Sequence, residues 1–116
     1  PIYNNTRATQ YVDLRNNGAT AASALDSAVE VACRITADGP KPVATGALKL
    51  PISGYVHMMK SFERLVCEAA VTGDRDLAVT ALNINPLCPS DALANIVVDE
   101  LIEAHKEYLP QFTKNK

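Results

Sequence analysis

Tryptophan is missing from this 116-residue chain, and two phenylalanines and four tyrosines are too few rings to stack bases or sugars on. A surplus of positive charge is missing as well. Lysines and arginines are scattered singly from Arg7 to Lys116 and the net charge is −2, so the basic face of a nucleic-acid binder is not there. No stretch comes near the ~18 consecutive apolar residues of a membrane helix. Neither nucleic acid nor a membrane is therefore an expected partner. Cysteine is sparse and odd in number: Cys33, Cys67 and Cys88 make no CxxC pair and have no histidine pair nearby, which removes a structural zinc site. With no signal-like start, such thiols fit a reducing, cytoplasmic setting in which they serve as small core residues. The five glycines, at 18, 39, 46, 54 and 73, are isolated from one another, and none belongs to a phosphate-cradling loop.

What is present is globular. An apolar content of 47% against 21% charged residues supports a buried core, and the length matches one domain, residues 1–116. The chain starts at Pro1, inside an ordinary polar stretch, so the expectation is a piece of a larger protein.

The first third has a period of two. Tyr11 to Arg15 alternates, with Val12 and Leu14 on one face, before Asn16-Asn17-Gly18 supplies turn chemistry. From Ala28 to Ile35 the alternation is cleaner, with Val29, Val31, Cys33 and Ile35 on one side and Glu30, Ala32 and Arg34 on the other. Asp38-Gly39-Pro40 is expected to stop that strand, and Pro42 to Leu48 to form a short extended piece. After Pro51 the period lengthens to about 3.6, and Tyr55, Met59, Phe62, Val66 and Ala69/Ala70 trace one helical stripe. Gly73 is placed to end that helix in the left-handed conformation, and Asp74 to cap the next, Arg75 to about Asn83, which buries Leu77, Ala78, Ala81 and Leu82. Asn85-Pro86 halts it. Ser90 caps a third helix whose stripe reads Leu93, Val97, Leu101, Ala104 and Tyr108, stopped by Pro110, with a frayed tail from Thr113 to Lys116. Short antiparallel strands followed by three helices make an α+β fold.

Catalytic chemistry is hard to find in these residues. His57 and His105 have no second ligand at i+3 or i+4, so packing, surface or helix-end roles fit them better than metal binding. Glu63 and Glu68 with Arg64 read as a solvated helix flank rather than a substrate site. Asp99, Glu100, Glu103 and Glu107 form the acidic face of an amphipathic helix, with Lys106 as their ion-pair neighbour. No catalytic, cofactor-binding or metal-binding residue is assigned in this chain.

The run Phe62-Glu63-Arg64-Leu65-Val66-Cys67-Glu68-Ala69-Ala70-Val71-Thr72-Gly73-Asp74-Arg75, followed by Ala81-Leu82-Asn83-Ile84-Asn85-Pro86-Leu87, resembles the C-terminal part of family 4 glycoside hydrolases. Asn17-Gly18, the Ala28-Val29-Glu30-Val31 strand with Asp38-Gly39 after it, and the closing Ala104-His105-Lys106-Glu107-Tyr108-Leu109-Pro110 fall in the same order. The wording Phe-Glu-Arg-Leu and Glu-Ala-Ala-Val-Thr-Gly-Asp leans toward the 6-phospho-β-glucosidase branch. One departure is the stretch from Ala19 to Ala24, which lacks the Leu-Pro common in the family. The resemblance implies a C-terminal domain of the lactate dehydrogenase/family 4 type. It also implies an intact enzyme that hydrolyses phosphorylated disaccharides with NAD and a divalent metal such as manganese. In that chemistry, oxidising C3 of the sugar acidifies the C2 hydrogen, a tyrosine base removes it and the leaving group is eliminated. The implied partners are the phosphorylated disaccharide, a missing N-terminal Rossmann domain and further copies in a homo-oligomer. Those motifs lie upstream in the family, so the fragment alone is expected to be inactive and to bind neither NAD nor metal. The alternative, from the residues alone, is a free-standing protein-interaction module without activity.

Overall fold

The alternation of Val29, Val31, Cys33 and Ile35 becomes the middle strand of a three-stranded antiparallel sheet in the computed structural model, which describes residues 1–113. Strand β1 (Thr9–Arg15) pairs with β2 (Ala28–Thr36) so that Val12 lies opposite Val31 and Leu14 opposite Val29. Strand β3 (Gly39–Pro42) returns along the other edge of β2. All four inward residues of β2 are buried and cluster with Ala19, while Val12 and Leu14 pack against them. Burying side chains of this size contributes ~1.5–3 kcal/mol each, so this cluster is the main source of cohesion in the first third. Cys33, fully buried, is the core thiol its register demanded.

The expected stop at Asp38-Gly39-Pro40 is instead a hairpin. Gly39 takes φ 99, and Thr36 Oγ1 donates to the Gly39 carbonyl at 2.9 Å, closing a turn tight enough for Pro40 to lie opposite Ile35. Proline is tolerated there because β3 is an edge strand and needs no second ladder. Of the extended piece expected over 42–48, only Pro42 belongs to this strand; beyond it Val43 N–H donates to Ala32 and Thr45 forms an isolated bridge to Thr20.

The chain resolves into two compact units, Pro1–His57 and a helical one from Met58 on. Helix α1 (Leu50–Thr72) carries Pro51 in its first turn, where a missing N–H costs nothing. It ends at Gly73, φ 73, whose N–H still donates to Ala69 at 2.8 Å. Only Ala69 of α1 is buried; Phe62 is half-buried, while Tyr55 at 66% and Val66 at 41% are exposed, so the expected stripe is only partly covered. Asp74 caps α2 (Arg75–Ile84), accepting from Asp76 N–H at 2.9 Å and Leu77 N–H at 3.1 Å. Ser90 caps α3 (Asp91–Ala104) through Leu93 N–H at 3.2 Å.

Helix α2 presents Ala78 and Leu82 as expected and buries Ala81, whereas the buried face of α3 lies one residue away from the one the sequence pointed to. Val79, Ala94 and Val98 form the buried cluster, with Ala78, Leu82 and Ile102 against it, while Leu93 and Leu101 are exposed. Both series have helical spacing, and the one containing Ala94 allows the helix axes to approach more closely. Helix α3 also stops six residues short of Pro110. From His105 on, i+3 turns replace the helix, Tyr108 N–H donating to His105 at 2.8 Å, because the polar run His105-Lys106-Glu107 offers no apolar surface to hold another turn. Tyr108, expected in the core, is 80% exposed. A fourth short helix, α4 (Pro110–Thr113), follows, so Thr113 is ordered; the rest of the expected frayed tail lies outside the described residues.

Candidate functional site

The densest polar geometry gathers where α1 gives way to α2. Three consecutive residues act there in different ways. Gly73 lacks a side chain, and this lets the Gln111 backbone of α4 come so close that a Cβ would overlap its carbonyl. Gln111 Nε2 in turn donates to the Ala70 carbonyl at 2.7 Å. Asp74 spends a carboxylate oxygen on the α2 cap. Arg75 reaches across to α3, its Nε donating to Asp99 Oδ1 at 2.6 Å and its Nη2 to Asp99 Oδ2 at 2.9 Å and Asn95 Oδ1 at 3.1 Å. The two-pronged geometry matches a planar guanidinium to a carboxylate. Donating hydrogen bonds to Asp99 raises the Arg75 guanidinium above its ordinary pKa, with smaller help from the charges of Asp99 and Asp76.

These groups border an open cavity of about 790 Å³ with Thr72, Asp76 and Glu103. Its carboxylates Asp74 and Asp99 are committed to a helix cap and an arginine, which is the arrangement of a joint rather than of an acid–base pair. A second, apolar groove of about 300 Å³ lies between Phe62, Val66, Leu82, Val98, Leu101 and Phe112.

The residues weighed from sequence are not brought together. His57 is exposed, with Nδ1 3.2 Å from Ser53 Oγ one turn earlier, and His105 is the exposed C-cap of α3. Glu63 accepts from Lys60 Nζ at 2.6 Å, and Glu68 is exposed. Lys106 pairs with Glu103 at 2.6 Å as expected of the acidic face, and this hydrogen bond raises the lysine pKa. Asp99, read as part of that wet face, is the exception because Arg75 claims it. Cys67 is exposed and Cys88 half-buried, so of the three free thiols only Cys33 is a core residue.

Sequence reasoning missed two structural centres. Arg75 with Asn95 and Asp99 could have been suspected from the i, i+4 spacing of the last two. Asn16, 1% exposed, donates through Nδ2 to the carbonyls of Thr20, Ser23 and Ala24 at 3.0, 2.7 and 3.1 Å and accepts from Thr20 N–H at 2.8 Å. An asparagine directly before Asn-Gly was the available signal.

Among the described residues no three His, Cys, Asp or Glu side chains lie close enough to share a metal ion, and no helix is long and apolar enough to cross a membrane. The positive-φ glycines sit singly at turns, not in a loop that could cradle a pyrophosphate.

Residues 1–88 match the model of the family 4 glycosyl hydrolase C-terminal domain. Over 111 residues, 96% of this chain, the sequence is 54% identical to a probable 6-phospho-beta-glucosidase of Bacillus subtilis (strain 168), of which the match covers 25%. The fold superposes with a TM-score of 0.87 and 31% identity on a 6-phospho-alpha-glucosidase from gut microorganisms solved with NAD and glucose-6-phosphate, covering 95% of this chain and 25% of that one. A 6-phospho-beta glucosidase from Thermotoga maritima, solved with manganese, NAD+ and glucose-6-phosphate, matches with a TM-score of 0.77 and 29% identity over 87% of this chain and 25% of its own. The chain thus spans about a quarter of the length of these relatives. With the family model matched from Pro1 through Cys88 and the strand-then-helix order reproduced, the chain belongs to glycosyl hydrolase family 4, within its C-terminal domain.

Proposed function

We infer that the intact protein is a 6-phospho-β-glucosidase and that this chain forms part of its C-terminal domain, walling the substrate cleft and contributing subunit contacts in a homo-oligomer. The observation that carries this reading is the 54% identity to the probable 6-phospho-beta-glucosidase of Bacillus subtilis, against 31% to the 6-phospho-alpha-glucosidase structure. The Rossmann domain, NAD and the divalent metal belong to the remaining three-quarters of such an enzyme. When bound there, they supply the C3 oxidation that makes the C2 hydrogen acidic enough for elimination. This chain's part is shape: the Gly73–Arg75 joint fixes three helices, and the sheet gives them a stiff neighbour in sequence.

A chimaera tests the reading. The first three-quarters of the Bacillus subtilis relative, joined to this chain, should hydrolyse a chromogenic 6-phospho-β-glucoside with NAD, manganese and reductant, and leave the α-anomer untouched. The chain alone should show neither turnover nor heat of NAD binding in calorimetry. A folded chimaera active only on the α-anomer, or activity of the chain alone, would overturn it.

A further inference from the structure

We propose that Asn17 is a site of spontaneous deamidation, the one asparagine among the described residues whose carboxamide and following amide are both unengaged. The argument is by comparison along the chain. Asn16 is buried and makes four side-chain hydrogen bonds. The amide after Asn4 donates to Ile2 at 3.2 Å, and Asn5 Oδ1 accepts from Ala37 N–H at 3.0 Å. Asn83 donates to Asp91 Oδ1 at 2.7 Å and Asn95 to the Asp91 carbonyl at 2.9 Å, each inside a helix. Asn85 precedes Pro86, which has no N–H to attack with.

Asn17 differs on every count. It is exposed, and its own N–H donates to Leu25 at 2.9 Å, but its side chain makes no hydrogen bond among the described residues. Gly18 follows, exposed, its N–H making none either, with nothing within 4 Å of where a Cβ would stand. Glycine offers the least hindered amide nitrogen of any residue, and both residues hold positive φ, 40 and 91, in a turn outside the sheet.

The chemistry needs only water. The Gly18 nitrogen attacks Asn17 Cγ, an N–Cγ bond forms and the Cγ–Nδ2 bond breaks. Ammonia leaves with the proton from the Gly18 amide. Water then opens the resulting succinimide at either carbonyl, giving aspartate or isoaspartate, with no change of oxidation state. Base accelerates the first step because the amide must lose its proton. The isoaspartate product lengthens the main chain by one carbon between Asn16 and Ala19, a span now closed by the Ala19 N–H to Asn16 carbonyl bond of 2.6 Å. That product therefore loosens the loop which Asn16 organises.

The test is to incubate the folded chain at mildly alkaline pH in water enriched in oxygen-18 and map its peptides by mass spectrometry. The expected result is heavy-oxygen uptake confined to the peptide holding Asn17, as aspartate and isoaspartate, together with faster hydrogen exchange at Ala19 and Thr20 in the isoaspartate form. Asn17→Gly, which keeps a residue at ease with positive φ, should take up none. A parallel sample unfolded in urea guards against a variant that fails to fold. Uptake at Asn17 only in urea, or equal uptake at Asn83 or Asn95 in the folded chain, would overturn the proposal.

Discussion

Replacing Gly73 with alanine adds one methyl group at a place that rejects it twice over. The residue holds φ 73, where a β-carbon costs ~1–2 kcal/mol. The added carbon would also overlap the Gln111 carbonyl, so α4 has to leave its seat, and with it the Gln111 to Ala70 hydrogen bond, an exposed contact of about 0.5–1 kcal/mol. Together these give a loss of about 1.5–3 kcal/mol for Gly73→Ala. The measurement is urea denaturation followed by circular dichroism, with two comparisons. Gly54→Ala, inside exposed α1 with nothing within 4 Å, should stabilise by roughly 0.5–1 kcal/mol, since glycine is the poorer helix former. Gly73→Ala in a chain cut after Leu109 should lose only the backbone part, about 1–2 kcal/mol, because nothing remains to collide with. A neutral Gly73→Ala in the full chain would mean that α1 and α2 are one continuous helix. An equal penalty with and without residues 110–116 would mean that the Gln111 contact contributes nothing.

Asn16→Leu should destabilise by about 3 kcal/mol in the same assay, since it strands the Thr20 amide in a buried site without a partner; loss below half of that would show water replacing the side chain. Arg75→Met should lower stability at low salt and by less at high salt, because its bonds to Asp99 are exposed and screened. Its pKa lies above the ordinary arginine value, so the contribution is complete at neutral pH and declines only as pH rises through that raised value; a change between pH 6 and 9 would contradict the assignment. Self-association is expected through the half-covered helices. Met58 and Leu65, which flank the α1 stripe, are half-buried, whereas Val66 and Leu101 are 41% and 50% exposed beside the apolar groove. Light scattering over a concentration series should show a mass increase that Val66→Lys with Leu101→Lys abolishes; a wild-type chain that stays monomeric throughout refutes it.

What could be read in the sequence was local. Asp74 and Ser90 as caps, Gly73 as a left-handed stop and the inward set of β2 each depend on a few neighbouring atoms, and all four are found as expected. What failed depended on a second element. Leu93-Val97-Leu101 and Ala94-Val98-Ile102 both repeat every four residues, and only the approach of α2 selects the second. The turn at Gly39 was read as an end because proline cannot donate, yet an edge strand asks for donors on one side only. Asn16 was passed over because its four bonds go to residues four to eight positions away, inside a loop with no regular period.

The same distinction shows in the stretch Thr72-Gly73-Asp74-Arg75, so telling as a likeness, whose printed contacts join helices. Thr72 Oγ1 donates to the Glu68 carbonyl at 2.8 Å and accepts from Asp74 N–H at 3.2 Å, Gly73 yields its Cβ space to α4, Asp74 caps α2 and Arg75 clamps α3. A catalytic carboxylate or guanidinium needs a free oxygen or nitrogen facing a place where a substrate could stand, and in these four residues the described contacts hold helices instead. A run of residues in which every position has a different geometric duty admits few substitutions without moving a helix. Such a run identifies a fold family even from a chain that spans a quarter of its relatives' length.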